Sequence, residues 1–254
     1  MKLLRQEINK LFSVGTTTAL VFIAFAVGIV LTVFAGVPVL AEPERAGDVV
    51  EVTNLYTDTV YLAWVFPPLM GVLFMTGEFR MGTAVHTFLQ TPRRGAVVAA
   101  KMAASVVGGA IVALASLAGA FLTATVITQI AGDPVMPDMD RLLGATVGLV
   151  GTGAMVAPMG VAVGTLVRSQ LAALGIFLGW VLLIEQVFVG LLGPAGVFMP
   201  GALMTRAVSL DFGTATLTDL YGGLTPLVAI VLLGVEAIVL AMIGSVTTLR
   251  RDID

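Results

Sequence analysis

A chain of 254 residues that is 58% hydrophobic and 11% charged, with a mean hydropathy of +1.04, lies outside the composition of soluble domains, where about a quarter of residues are charged. The absence of cysteine excludes a disulfide framework and a thiolate metal site, and the single His86 leaves too few imidazoles for a histidine-built centre, so metal and redox chemistry lose their footing. The net charge of -3 says less than where each sign falls along the chain.

At the N-terminus Leu4, Ile8, Leu11 and Phe12 recur at helical spacing, with Lys2, Arg5, Gln6, Glu7, Asn9 and Lys10 assigned to the other face. The pattern predicts an amphipathic interfacial helix over 1–13; a charged flank that only fixes orientation is the alternative. A spanning helix needs about 20 mostly apolar residues, because lipid cannot hydrogen-bond the backbone. Charge-free stretches run over 11–41, 59–77, 102–132 and 142–167, while 169–192 contains only Glu185 and 220–249 only Glu236. The expectation is an all-α polytopic membrane protein, one transmembrane domain over 1–254, with six transmembrane helices near 16–40, 59–77, 102–131, 142–167, 169–192 and 221–248. Val39, Leu40 and Ala41 before Glu42 loosely resemble a signal-peptidase site, but the apolar stretch is far longer than a signal-peptide core, so an uncleaved start is expected.

Side assignment tests the count, since the connections must alternate in their lysine and arginine content. One side collects Lys2, Arg5, Lys10, Arg80, Arg93, Arg94, Lys101, Arg168, Arg250 and Arg251, ten cations against the four acids Glu7, Glu78, Asp252 and Asp254. The other has Arg45, Arg141 and Arg206 against ten acids: Glu42, Glu44, Asp48, Glu51, Asp58, Asp133, Asp138, Asp140, Asp211 and Asp219. The first side is therefore read as cytoplasmic, with both termini on it, in a plasma membrane.

The first outer connection, from Glu42 to Asp58, is acidic and too short for a domain. Between the fifth and sixth spans, Gly193, Pro194, Gly196, Pro200 and Gly201 break the helix, which points to a re-entrant segment; a plain surface loop is the alternative. Pro67, Pro68 and Pro158 are expected to kink their spans. Small residues four apart, Gly144 and Gly148, Gly160 and Gly164, Gly175 and Gly179, Ser105 and Gly109, favour close helix packing within the chain or between copies.

One inner connection stands out by length, 77–101. Phe79, Val85, Phe88 and Leu89 can form an apolar stripe, Pro92 ends the segment, and Arg93, Arg94 and Lys101 re-enter at the headgroups. A short amphipathic helix along the membrane fits this pattern, as does a solvated turn with basic anchors. The stretch resembles the first cytoplasmic loop of permease subunits of type-2 ABC exporters, in which an acidic residue is followed by Gly-Thr, a helix and a Pro-Arg terminus. The matching positions are Glu78, Gly82, Thr83, Pro92, Arg93 and Arg94, and the resemblance extends to the six spans, the N-terminal helix, the broken outer connection and the tail with Arg250, Arg251 and Asp252.

That resemblance implies a cytoplasmic coupling helix between spans 2 and 3 that docks on an ATPase subunit, with Glu78, Phe79, Arg80, Gly82, Thr83, His86, Phe88, Pro92, Arg93 and Arg94 as the coupling residues. It further implies alternating access between two permease subunits, a homo- or heterodimer, with ATP and Mg bound by partner ATPase subunits, no cofactor on this chain and no nucleic acid. The residues agree that the chain carries no ATPase site itself: a phosphate-cradling loop needs GxxxxGK[ST], and no Gly-Lys pair occurs. An intramembrane enzyme lacks support, with no HExxH, no GxSxG and no cysteine. A secondary transporter or a noncatalytic membrane scaffold is the alternative.

Glu185 and Glu236 fall mid-span, where an ionised carboxylate facing lipid costs several kcal/mol, so both are expected to face the bundle interior. Two roles are open: a carboxyl that holds helices together, with Gln186 or a nearby hydroxyl, or a polar element of a transport path.

Overall fold

The computed structural model of the protein describes residues 2–13, 15–57, 63–83, 94–132, 135–167, 169–208 and 224–247. Helix α1 (Lys2–Ser13) leads into α2 (Gly15–Ala41), followed by the short α3 (Pro43–Ala46) and α4 (Val49–Thr57). Next come α5 (Phe66–Arg80), α6 (Arg94–Ala131), α7 (Met139–Leu166) and α8 (Gln170–Gly179). A π-helical turn (Trp180–Ile184) joins α8 to α9 (Glu185–Leu192); a 3-10 turn (Gly193–Phe198), α10 (Pro200–Ala207) and α11 (Pro226–Thr247) complete the order.

Five stretches are long and apolar enough to cross a bilayer: Gly15–Ala41, Gly95–Ala131, Met139–Leu166, Gln170–Leu192 and Pro226–Ser245. They are strongly apolar on the outside as well, exposing Phe22, Phe34, Ile130, Leu171, Leu191 and Leu227, the surface of a chain whose solvent is lipid. The protein is an all-helical, multi-pass membrane protein. Of the stretch expected to cross at 59–77, residues 58–62 lie outside the described residues, and α5 alone is about 22 Å long at 1.5 Å per residue.

Helix α5 is nonetheless largely enclosed, packed against α6 and α7. Pro67 and Pro68 do not kink it. They stand in its first turn, where a missing N–H removes no intrahelical bond. Pro158 does fall inside a helix, α7, and is buried there. Two glycines account for the tight α5–α7 crossing. A Cβ on Gly71 would collide with the Ala157 carbonyl, and one on Gly160 with the Pro68 carbonyl, so each backbone lies directly on the other. Gly148 meets Ala207 and Gly109 meets Gly153 in the same way, whereas Gly144, Gly175 and Gly179 face open space.

At the acidic end, α4 lays Val52, Leu55 and Tyr56 against α6 and α7. The Tyr56 ring meets Phe121 edge-on at 5.2 Å, its hydroxyl lies 3.2 Å from that of Thr125, and the Asp138 N–H donates to the Thr53 hydroxyl at 2.9 Å. The Asp138 side chain then caps α7, accepting the N–H groups of Asp140 and Arg141 at 3.0 and 3.2 Å.

The broken connection begins at Gly193, whose φ of +53° suits a residue without a Cβ. The chain folds back through the 3-10 turn, and α10 buries Ala202, Leu203, Met204 and Ala207 against α7 and α11.

Candidate functional site

Charged residues at the basic end of the bundle do not all reach for water. On α1, Glu7 is buried beside Leu11 because it lies four residues before it, on the same helical face. On α6, Lys101 shares one face with Val97, Ala104 and Ser105, all buried, and is itself fully enclosed. On α5, Glu78 lies in the last turn and is buried as well.

These three meet. The Lys101 Nζ donates to Glu7 Oε2 at 2.7 Å and to Glu78 Oε1 at 2.8 Å, and sits 4.0 Å from the centroid of the Phe74 ring. Lys10 closes the network from the rim, donating to Glu7 Oε1 at 3.0 Å and to Glu78 Oε1 at 3.1 Å. Two ammonium groups face two carboxylates, so the cluster is formally neutral. Burying an ammonium costs several kcal/mol, and only close carboxylates with further polar contacts make the burial tolerable; the Phe74 face adds a cation–π contact. Burial lowers the Lys10 pKa, but its hydrogen bond to Glu7 and the charges of Glu78 and Glu7 outweigh this and leave it above 10.5.

The network gathers the two stems of the long inner connection. Glu78 precedes the connection and Lys101 follows it, so their ion pair closes it at the base, and Glu7 and Lys10 fasten both stems to α1. Beyond Glu78, the Gly82 φ of +68° puts it in the left-handed conformation that ends helices, with its N–H donating to the Phe79 carbonyl at 3.3 Å. The neighbouring Thr83 hydroxyl donates to the Glu78 carbonyl at 3.4 Å. The Glu-to-Gly-Thr spacing thus has a local cause, a helix end whose last buried side chain is Glu78.

Of the other residues singled out in this connection, Phe79 is half-buried against the core and Arg80 is exposed. Arg94 opens α6. His86, Phe88, Pro92 and Arg93 lie outside the described residues, as do all of residues 84–93; the two ends of the 77–101 stretch expected to carry the coupling helix belong instead to α5, through Arg80, and to α6, from Arg94. Lys101, read from sequence as a headgroup anchor, and Glu7, read as part of the polar face of α1, instead belong to the buried network.

The two mid-span acids lie elsewhere, together. Glu185 is fully buried, and its Oε1 accepts the N–H groups of Gly201 and, at 3.3 Å, Ala202, the first free donors of α10. Gln186 points away and is exposed. Glu236, on α11, lines a cavity beside α7 and α8. Neither Glu185 Oε2 nor Glu236 Oε2 has a hydrogen-bond partner. Among the described residues no group of three or more histidine or acidic side chains could hold a metal ion.

No protein-family model matches the chain, and no curated protein matches it significantly. The class defined by fold and sites is thus the multi-pass helical membrane protein, with a buried ion network at one end of the bundle and a pair of enclosed carboxyls farther in.

Proposed function

We propose that this chain is the transmembrane permease subunit of an ATP-driven exporter of the type-2 ABC kind, moving a substrate across the plasma membrane by alternating access. In this reading α5 with the residues before it forms a sixth span, the Gly193–Phe198 turn with α10 forms a re-entrant segment, and both termini face the cytoplasm. The connection 81–93 then emerges on the cytoplasmic side as the coupling element for a separate ATPase subunit. A second permease copy completes the pathway.

The observation that carries the proposal is the network of Glu7, Lys10, Glu78 and Lys101. A loop that only linked two spans would gain nothing from a buried, fully compensated charge cluster joining its stems to an N-terminal helix. A loop pushed by a motor needs a stiff base, and a neutral ion network inside a packed core is one.

The test is purification of the tagged chain from its native membranes. The reading expects a stoichiometric partner with a Walker-type nucleotide site, lost on Arg93→Ala while the permease still elutes as a folded species. Recovery of the chain with no ATP-hydrolysing partner defeats it. So does labelling of a cysteine placed at His86 by an impermeant reagent added outside intact cells.

A further inference from the structure

Helix α1 presents three faces rather than two. Glu7 and Leu11 point into the bundle and are fully buried. Gln6, Asn9 and Ser13 are exposed on another side. Leu4, Ile8 and Phe12 recur every four residues as a separate strip, with Leu4 and Phe12 exposed at 37% and 40% and Ile8 half-buried. Helix α2 starts at Gly15, just after α1 ends, and carries the exposed side chains Phe22 and Ile23, so along the chain the strip leads into the surface whose solvent is lipid.

The cations at this end of the bundle are not all compensated. Lys10 and Lys101 are matched inside the network by Glu7 and Glu78. Arg5, which follows Leu4 at the border between the strip and the polar side, is exposed, and so is Arg80, just past the buried Glu78. Among the described residues neither arginine has an acidic partner. Of the ten cations and four acids that fall on this side, the network takes two of each and leaves eight against two, so the excess needs a counter-ion from outside the chain. A flank that only fixed orientation would use the charges and have no need of an exposed apolar strip. The two together on one helix, strip and bordering cation, suit an interface between acyl chains and anionic headgroups.

We infer that α1 docks on anionic phospholipid in the leaflet at the basic end of the bundle, with Leu4, Ile8 and Phe12 among the acyl chains and Arg5 holding headgroups of net negative charge, Arg80 adding a second cation. Glu7 and Lys10 stand on the same helix, so lipid that seats α1 also seats the network that closes the long inner connection at its base. The docking needs no ATPase and stands apart from the exporter reading.

The chain has no cysteine, so Leu4→Cys gives a unique site for a bimane label. The experiment places the full labelled chain in nanodiscs of phosphatidylcholine and phosphatidylglycerol, with one lipid at a time brominated along its acyl chains, and quenching by each lipid reads the composition at α1. The expected result is quenching by both, with phosphatidylglycerol enriched about fivefold or more over its share of the bilayer, the equivalent of about 1 kcal/mol for one interfacial cation. Arg5→Gln removes most of that enrichment and leaves quenching by brominated phosphatidylcholine in place. A label at Phe12→Cys reports the same and keeps the inference testable if Leu4→Cys fails to fold. Absence of quenching by either lipid, as a strip covered by protein would give, equal quenching by the two, or enrichment unchanged in Arg5→Gln overturns it. No ATPase enters the assay, so a negative result here leaves the exporter reading intact, and loss of the ATPase partner leaves this docking intact.

Discussion

Replacing Lys101 with methionine is the sharpest test of the ion network. Methionine keeps the length and fills the enclosed volume, so packing is nearly conserved and the charge alone is removed. Glu7 and Glu78, both buried, are then left sharing Lys10, one ammonium for two carboxylates. Removing one partner of a buried ion pair costs about 3–5 kcal/mol, because the surviving charge stays desolvated. For a chain of this size that corresponds to a fall in thermal midpoint of roughly 6–20 °C, at about 2–4 °C per kcal/mol. The double change Glu7→Gln with Lys101→Met restores the balance, leaving Lys10 against Glu78, and recovers most of the loss. Midpoints of the purified protein in one detergent, read by tryptophan fluorescence and confirmed by size-exclusion profile, measure all three. A Lys101→Met midpoint within about 2 °C of the parent, or a double variant worse than either single change, refutes the account of Lys101 as a compensated buried charge.

The same network predicts a pH response at Lys10. Its pKa is raised on folding, so the stabilisation it gives is complete below the ordinary value of 10.5 and fades as pH rises through the higher folded value. The midpoint difference between the parent and Lys10→Met is therefore constant from about pH 8 to 10 and shrinks above the lysine range. At Gly160, alanine places a Cβ on the Pro68 carbonyl and destabilises by about 1–3 kcal/mol, whereas Gly144→Ala, in the same helix but facing open space, gains up to about 1 kcal/mol of helix propensity; paired thermal midpoints decide. Glu185→Gln keeps an oxygen for the Gly201 and Ala202 N–H groups and stays folded, while Glu185→Ala strands those donors and loses about 1–3 kcal/mol, read by the same scan.

How far sequence reaches is visible in particular residues. The helices expected near 16–40, 142–167, 169–192 and 221–248 are found as long apolar helices because lipid imposes one rule, a run of about 20 apolar residues. The break after the fifth is equally plain, since Gly193, Pro194 and Pro200 cannot continue a helix in place. The ion network was harder to see for a physical reason: counting charges treats each as a boundary, and that rule stops the third helix at Met102. Yet α6 starts at Arg94 and carries Lys101 inside its buried face. The periodicity that would have placed Glu7 and Lys101 was present, at four-residue spacing from Leu11 for the one and at four- and three-residue spacing from Val97 and Ala104 for the other. Their mutual contact was not readable, because 94 residues separate them and only the fold brings them to 2.7 Å.

The ion network reaches helix α7 through α5, and the cavity beside Glu236 touches α7 directly. Glu78 anchors the end of α5 in the network, and α5 in turn lies on α7 with glycine backbones in contact at Gly71 and Gly160, a crossing with no side chain to yield between them. The same stretch of α7 that presents Ala157, Gly160 and Gly164 to α5 presents Met159 and Val163 to the cavity that holds Glu236. The α5 crossing and the cavity wall therefore share one stretch of α7, with glycine on the side of α5 and larger side chains on the side of the cavity.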